Sequence, residues 1–149
     1  MEKNYSIRPI DKSKLPQVFK LIEKLAEETK FFRPDYEIFS RTWSYYLDNN
    51  FGVIFGAFKD ELIGLMSAIK SIDTNTGKMT ACEMHWYVEP QHRKLGIGSE
   101  LIMWVQEWAQ LNHCKLFFMA RPAGQPWMHK ILEENRFREL EVFYIKEIA

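Results

Sequence analysis

The sequence predicts a mixed α/β domain in which an antiparallel three-strand meander is followed by a strand–helix–strand unit. Three observations support this prediction. Short runs rich in β-branched and aromatic residues lie in the middle of the chain, joined by polar turns. Segments before and after them carry apolar residues at helical spacing. A loop with two glycines joins the third strand to the next helix. The chain has 149 residues, and we expect residues 1–149 to form a single domain.

The first part of the chain predicts one strand and two helices. Residues 5–8 alternate and are followed by Pro9, as at the end of a short strand. Pro16 is compatible with a helix because it falls in the first turn, where its missing N–H is not needed. The apolar residues are Leu15, Val18, Ile22 and Leu25 in the first helix and Tyr36, Phe39, Trp43 and Leu47 in the second.

The middle of the chain predicts the meander. Residues 51–58, 62–69 and 79–88 have strand composition. Residues 59–61 form a tight turn, and the polar residues 73–78 form a longer hairpin loop. Hairpin connections make the three strands antiparallel.

The remaining pattern is helix, strand, helix, strand. A helix is predicted from Ser99 to about Asn112, and residues 115–120 form a short apolar strand. A crossover helix of this length favours a strand parallel to the third strand of the meander. Pro126 suits the first position of a last helix, and residues 140–145 are predicted to form the final strand.

The loop between the meander and the following helix, residues 88–99, has the composition of an anion site. Backbone N–H groups at a helix N-terminus attract phosphate or pyrophosphate. Gly96 and Gly98 remove the Cβ atoms that would keep an anion from the backbone, and Arg93 and Lys94 add mobile positive charge.

Two better-known phosphate loops do not fit this segment. A nucleotide P-loop requires lysine after its last glycine, whereas Ser99 and Glu100 follow Gly98. A dinucleotide fingerprint starting at Gly96 would require a third glycine where Leu101 stands. The antiparallel meander also differs from the doubly wound sheet in which that fingerprint occurs.

Composition narrows the classes of function and location. Twenty basic and twenty acidic residues give zero net charge, which disfavours nucleic-acid partners. Cys82 and Cys114 are expected to be free thiols in a reducing cytoplasm. The polar N-terminus and the absence of an apolar run near the ~18 residues of a membrane span predict neither export nor membrane insertion. Aromatic residues make up 15%, a surplus compatible with a pocket or a homodimer interface.

The motif Arg93-x-x-Gly96-x-Gly98, preceded by Val-x-Pro and followed by a helix, resembles the acyl-CoA loop of the GNAT superfamily of N-acetyltransferases. The predicted element order is also that of the superfamily, and Asn135-Arg136-Phe137 resembles its frequent Gly-Phe ending, with Arg136 in place of glycine. The resemblance implies the GNAT-like acyl-CoA N-acyltransferase fold, with a splayed pair of parallel strands.

The resemblance also implies acetyl-CoA as co-substrate, bound where the third meander strand splays from the next parallel strand. Backbone groups near Tyr87 and Val88 would pair with the pantetheine amides, as an added strand does. The amides that would cradle the pyrophosphate belong to Arg93, Lys94, Leu95, Gly96, Ile97, Gly98 and Ser99.

The implied reaction is direct attack of a primary amine, from a small molecule or a peptide, on the acetyl thioester in a ternary complex. Glu83 is a carboxylate in an otherwise apolar strand beside this cleft, and a buried Glu can act as a base near neutral pH; a salt-bridge or rim position is its ordinary alternative. His85, two residues later, is expected on the same strand face and could relay a proton. Cys82 and His85, three apart, are expected on opposite faces, so no metal site is predicted.

The general acid is the weak point of the resemblance. Many members of the superfamily carry a Tyr five residues before the Phe of the closing Gly-Phe, and that position here is Leu132. Tyr87, Tyr144, His129 or water could protonate the thiolate instead. The missing acid leaves a catalytically silent acyl-CoA-binding module as the alternative.

The acceptor is less determined. Phe31 and Phe32 lie on the connection between the first two helices and are candidates for lining its pocket, whereas the Tyr36, Phe39 and Trp43 stripe is more typical of core. Asp35 and Glu37 could attract an ammonium group, although acids are common at helix starts.

Overall fold

The computed structural model describes residues 3–149 and contains a five-stranded mixed sheet in the order β1-β2-β3-β4-β5. Strands β1 to β4 pair antiparallel, and β5 is parallel to β4. The strands are β1 (Ser6–Pro9), β2 (Gly52–Lys59), β3 (Glu61–Ile72), β4 (Met79–Val88) and β5 (Leu116–Phe118). The helices are α1 (Leu15–Thr29), α2 (Tyr36–Asp48), α3 (Ile97–Leu111) and α4 (Trp127–Glu134), with 3-10 turns at Lys12–Lys14 and Pro90–Leu95. The predicted fold class is confirmed.

Helices α1 and α2 cover one face of the sheet. Pro16 lies in the first turn of α1, and Lys30 ends that helix in the left-handed conformation (φ 54°). The Asp35 carboxylate caps α2 by accepting a hydrogen bond from the Ile38 N–H at 3.0 Å. The core residues between these helices and the sheet include Leu15, Val18, Ile22, Trp43, Ile54 and Leu65.

Helix α3 and part of α4 cover the opposite face. Four buried residues of α3, Ile97, Leu101, Ile102 and Val105, pack against Phe55, Met66, Ala68 and Trp86 of the sheet. Burial of each large aliphatic side chain stabilises the fold by about 1.5–3 kcal/mol. Within residues 3–149, none of these helices is long and apolar enough to cross a membrane.

A β-bulge at Met84 shifts the alternation of side chains between the two faces of the sheet along β4. Ala68 lies opposite Glu83, whereas its neighbour Ser67 lies opposite His85, so Met84 is the extra residue on β4. Adjacent residues of β3 point to opposite faces of the sheet, and directly paired residues point to the same face. The expectation that Glu83 and His85 share a face is therefore wrong.

Strand β5 is shorter than the six residues predicted, and its pairing with β4 stops early. Thr80 pairs with Leu116, and the last pair is Cys82 with Phe118. From Glu83 to Val88, β4 continues with no strand of the described chain on that side. The two strands thus open into a cleft that starts at Glu83.

The predicted last strand, residues 140–145, does not form. Every residue from Arg138 to Ala149 is exposed and has no regular secondary structure. A strand requires a neighbouring backbone for its hydrogen bonds, and this segment has no such neighbour among residues 3–149.

Candidate active site

The loop after β4 leads directly into the N-terminus of α3. The 3-10 turn Pro90–Leu95 ends at Gly96, which has a left-handed backbone (φ 80°) that favours glycine. A Cβ at Gly96 would meet no atom within 4 Å, so the backbone rather than packing requires the glycine there. The first N–H groups of α3, from Ile97 to Ser99, have no acceptor within the helix and form the positive end of its dipole. The arrangement fits an anionic group.

Gly98 has a different role. A Cβ at this position would lie 3.3 Å from the indole of Trp86, tighter than ordinary van der Waals contact. Glycine lets the first turn of α3 pack directly against β4, which brings the helix N-terminus to the mouth of the cleft. Both glycines of the motif are thus explained by the local structure.

The free edge of β4 directs backbone groups into the cleft. The Glu89 N–H donates to the Ile63 carbonyl at 2.9 Å, and Val88 lies opposite Gly64. In an antiparallel ladder this alternation directs the N–H and C=O of Val88 away from β3. The carbonyl accepts a hydrogen bond from Arg93 Nε at 2.8 Å, and the N–H faces the cleft.

The sequence suggested that Arg93 is mobile, but several contacts hold its side chain in place. Its Nη1 and Nη2 donate to the two carboxylate oxygens of Glu28 on α1, at 2.8 and 2.6 Å. Its guanidinium also lies 5.5 Å from the ring centroid of Tyr87 and 5.6 Å from that of Trp127. Lys94 and Leu95, by contrast, are exposed.

The wall of the cleft opposite β4 comes from the start of α4. Trp127, 48% exposed, and the buried Met128 line the cleft together with Ile131. Gln125 donates to Glu28 at 3.3 Å and closes the same corner. The residues lining the cleft are Leu25, Glu28, Trp86, Tyr87, Val88, Arg93, Gly96, Gly98, Ser99, Gln125, Trp127, Met128 and Ile131.

Sequence reasoning did not identify Glu28, Gln125 or Trp127 as site residues. Glu28 follows Glu27 on a helix with no motif, and Trp127 fits the apolar side of α4. Their roles arise from contacts between elements far apart in the chain. The sequence offered one signal for Trp127, its position directly after Pro126, which predicts a helix start. The first residues of a helix that begins beside a sheet edge are exposed to a cleft at that edge.

Glu83 lies at the point where β4 and β5 separate. Its Oε2 accepts a hydrogen bond from the Ala120 N–H, two residues past β5, at 3.3 Å. Burial raises the pKa of Glu83 to about 7, and the Ala120 hydrogen bond opposes this shift. A carboxyl with such a pKa exchanges protons near neutral pH.

His85 lies on the other face of the sheet. Its Nδ1 is 2.8 Å from the Ser67 hydroxyl, and its ring packs 6.1 Å from Phe39 and 6.0 Å from Trp43. Burial lowers the pKa of His85 to about 4, so the imidazole is neutral at pH 7. The bulge therefore separates this imidazole from Glu83.

Of the three side chains considered as acids, Tyr87 lines the cleft and the other two do not. Burial raises the pKa of Tyr87, so its phenol keeps its proton at neutral pH. Tyr144 is 93% exposed on the C-terminal segment, and His129 Nε2 is 3.1 Å from Glu133 on α4. Leu132 is partly buried against the α3 core.

The bulge also alters the argument against a metal at Cys82. Cys82 lies opposite Ile69, two residues from the Ser67 that faces His85, so Cys82 and His85 point to the same face, contrary to expectation. Within residues 3–149, however, no group of three or more His, Cys, Asp and Glu side chains could hold a metal ion.

The region expected to admit the acceptor lies beside α1 and α2. Phe31 is 65% exposed, and Phe32, at 6.2 Å between ring centroids, is partly buried against the α1–α2 core. Asp35 serves as the N-cap of α2. On the connection between α1 and α2, Phe32 thus belongs to the core and Phe31 to the surface.

A mixed sheet that splays beside the N-terminus of a glycine-led helix is the arrangement that the resemblance to the GNAT superfamily implies. The model of the acetyltransferase (GNAT) family matches residues 16–134 of the chain. The chain therefore belongs to the GNAT acetyltransferase family, and the resemblance seen in the sequence is confirmed. No curated protein matches the chain in sequence.

Solved structures share the fold at low sequence identity. A predicted acetyltransferase from Clostridium acetobutylicum, with acetyl-CoA, has a TM-score of 0.82 at 13% identity, over 96% of each chain. The aminoglycoside acetyltransferase meta-AAC0020 from an uncultured soil metagenomic sample, in complex with sisomicin, has a TM-score of 0.78 at 18% identity, over 98% of this chain and 97% of that one. AAC(6')-Iy, in complex with the bisubstrate analogue CoA-S-monomethyl-acetylneamine, has a TM-score of 0.80 at 22% identity, over 98% of this chain and 100% of that one.

Proposed function

We propose that the protein is an acetyl-CoA-dependent N-acetyltransferase that acetylates a primary amine of a small molecule or peptide. One observation carries the proposal: the free edge of β4 runs directly into the N-terminus of α3. A strand-like ligand arm ending in a pyrophosphate requires this arrangement, because its amides need an open strand edge and its charge needs unpaired N–H groups.

The donor would bind along this line. The Val88 N–H donates to a pantetheine carbonyl, and the amides from Leu95 to Ser99 surround the pyrophosphate. Trp127 and Met128 cover the apolar part of the pantetheine arm. The C. acetobutylicum structure with acetyl-CoA supports the donor, since that protein has the same fold.

The thioester would then lie near Glu83, where the two parallel strands separate. An alkyl amine with a pKa near ~10 is protonated at neutral pH and must lose a proton before it attacks. Glu83 takes that proton, directly or through water. The amine nitrogen bonds to the carbonyl carbon, the carbon–sulfur bond breaks, and the thiolate takes a proton.

We assign the donation of that last proton to water in the cleft. Tyr87 shares the sheet face of His85, because their partners Leu65 and Ser67 are two residues apart on β3, and it lies four residues, about 13 Å along β4, from Glu83. Water thus replaces the acid that is missing at Leu132, whereas Tyr87 packs in the core beside α1 and α2. His85 is neutral, on the other face and bonded to Ser67, so its role is to position β4 against α2 rather than to relay a proton.

The acceptor is proposed to be a small-molecule amine. The support is the two similar structures whose descriptions name sisomicin and an acetylneamine conjugate, both amine-bearing compounds. The exposed ring of Phe31 offers an apolar surface to such a molecule. The partly buried, free thiols of Cys82 and Cys114 suit a reducing cytoplasm as the place of action.

The test is acetyl-CoA turnover, measured as thiol release, with a panel of aminoglycosides, polyamines, amino sugars and peptides. Release that depends on one class of amine, with acetylated product identified by mass, supports the proposal. Tight binding of CoA without turnover for every amine would instead support the silent binding module that the leucine at position 132 favours.

A further inference from the structure

We propose that the Nε2–H of His85 donates a hydrogen bond to an oxygen of the acceptor, so that the protein selects amines that carry a hydroxyl or carbonyl oxygen close to the reacting nitrogen. The inference rests on the proposed function, because it concerns the acceptor of that reaction. It goes further by naming the group on the protein that recognises the acceptor and the chemistry that the acceptor must offer. Polyamines, which carry no oxygen, lack this contact.

The orientation of the His85 ring follows from its hydrogen bond to β3. Nδ1 lies 2.8 Å from the hydroxyl of Ser67, which is the residue directly opposite on β3. The two nitrogens lie on different sides of an imidazole, so a ring whose Nδ1 faces β3 turns Nε2 away from that strand. Phe39 and Trp43 of α2 pack against the ring. The side that β3 and α2 leave open is the free edge of β4, beside which the described chain has no strand.

Nε2 lies at the accessible surface although most of the ring is enclosed. His85 is partly exposed, and its side-chain hydrogen bond within residues 3–149 is made through Nδ1. Among the same residues, no buried side-chain nitrogen or oxygen lacks a hydrogen-bond partner. Nε2 has no partner in that part of the chain, so it is not buried and can contact a bound molecule.

The Ser67 hydroxyl fixes the position of the imidazole proton. Ser67 is 1% exposed, and its one side-chain hydrogen bond in the described chain is the contact with His85. The proton of a buried hydroxyl needs an acceptor, and Nδ1 is the acceptor available to it. Nδ1 therefore accepts, and the neutral ring carries its own proton on Nε2. This tautomer is assigned from the hydrogen-bond pattern.

A neutral N–H donor selects an oxygen rather than an ammonium group. Burial lowers the pKa of His85 to about 4, so the ring is uncharged at pH 7 and does not repel a cationic substrate. An ammonium group has no lone pair with which to accept a hydrogen bond, whereas a hydroxyl or carbonyl oxygen has. The group that Nε2–H recognises is therefore an oxygen.

The bulge in β4 places this donor beside the reaction. Glu83 and His85 lie on opposite faces of the sheet, about 7 Å apart along the same free edge. Neither face is closed off at this edge, because the described chain has no strand beside it. An amine that meets the thioester near Glu83 thus brings an oxygen two or three carbons away within reach of His85.

The first experiment is nitrogen NMR of the full chain labelled with ¹⁵N-histidine, in the presence of CoA. The His85 signals are assigned by their loss in His85→Gln. We expect a proton on Nε2 and none on Nδ1 at pH 7, and a shift of the Nε2 signal on titration with ethanolamine. Propylamine, which has a methyl group in place of the hydroxyl, should shift it several-fold less. A shift with glycinamide would extend the recognised class to amide carbonyls.

The second experiment measures selectivity in turnover. The parent protein should prefer ethanolamine to propylamine by roughly five- to tenfold in kcat/KM, the effect of one neutral hydrogen bond. His85→Phe should remove this preference by raising the KM for ethanolamine, without changing the KM for acetyl-CoA. His85→Gln should keep part of the preference, because its amide N–H still donates. His129→Phe, on α4, is the matched control and should keep all of it. Differences in pKa between the two amines cancel when variants are compared.

Three results would overturn the inference: a proton on Nδ1, an Nε2 signal that responds equally or not at all to ethanolamine and propylamine, or a preference that His85→Phe leaves intact. A selective shift of Nε2 without turnover of any amine would instead reject the proposed function and retain the recognition site. Thermal unfolding of each variant shows whether the protein is still folded, so a lost preference is not mistaken for lost structure.

Discussion

Glu28 and Arg93 form a two-point ion pair that joins the end of α1 to the loop after β4, with N–O distances of 2.8 and 2.6 Å. The pair is partly exposed, at 25% for Arg93 and 28% for Glu28, so its direct contribution to stability is at most about 1 kcal/mol. Its importance is positional, because the same guanidinium holds the Val88 carbonyl.

The ion pair leads to a prediction about the donor site. Arg93→Lys should raise the KM for acetyl-CoA by roughly tenfold, because one ammonium cannot bond the carboxylate in two places and the carbonyl as well. Glu28→Gln should raise it in the same direction. Glu27→Gln, on the neighbouring exposed residue of α1, is the control. Unchanged KM values in the first two variants would contradict the assignment.

A second prediction concerns the backbone at Gly96. Gly96→Ala should lower the free energy of unfolding by about 1–2 kcal/mol, because alanine disfavours a φ of 80°. Gly77→Ala is a matched control, since Gly77 has a φ of 70°, equally open space and a place in the distant β3–β4 hairpin. Both variants should lose similar stability in urea unfolding. Only Gly96→Ala should also weaken CoA binding, measured by calorimetry; equal CoA affinity in the two would remove Gly96 from the site.

The position of Gly98 makes a sharper test of the same loop. Gly98→Val should abolish CoA binding, because its side chain pushes against the Trp86 indole and displaces the first turn of α3. A fold that survives, seen by circular dichroism, separates lost binding from unfolding. If this variant bound CoA with the affinity of the parent protein, the proposed function as a whole would be wrong.

A fourth prediction is the pH dependence set by Glu83. Acetylation should increase as pH rises through about 7, where the carboxyl loses its proton and becomes a base. Glu83→Gln should lower kcat roughly a hundredfold and remove this step from the profile. The amine's own titration lies near ~10, so the two steps are separable. Glu107→Gln, on the exposed side of α3, should leave the profile as it is.

A fifth prediction concerns stability and His85. Its pKa is lowered to about 4, so the folded protein favours the neutral ring. The stability from this preference is fully present above the unfolded pKa of about 6.5 and is lost as pH falls towards 4, on the order of 3 kcal/mol in all. His85→Gln should flatten this part of the stability curve in urea unfolding from pH 4 to 7. A variant that loses stability with acid as steeply as the parent would contradict the prediction.

The sequence predicted most of the scaffold because its signals are local. Apolar spacing located α1 and α2, and Gly96 and Gly98 located the start of α3 to within two residues. The order of these elements was sufficient for the fold. Strand β5 was overestimated because an apolar run does not reveal where its pairing stops.

The parts that the sequence missed depend on pairing between distant segments. The Met84 bulge has no marker in β4, since only the register with β3 creates it. Residues 140–145 have a strand's composition, but composition does not supply the neighbour that a strand needs. The contact between Glu28 and Arg93 joins residues 65 positions apart.

The Met84 bulge also bears on how relatives of this chain can be compared. In a family member without the extra residue, the strand positions after the bulge point to the same faces of the sheet as in this chain. Each position before the bulge, counted back from the loop, points to the opposite face. Aligned without a gap, its residue opposite Glu83 would belong to the other face of the sheet. Residues of this strand can therefore be equated between members of this family only when the positions are counted back from the loop. In that count the two residues at the bulge are treated as one position.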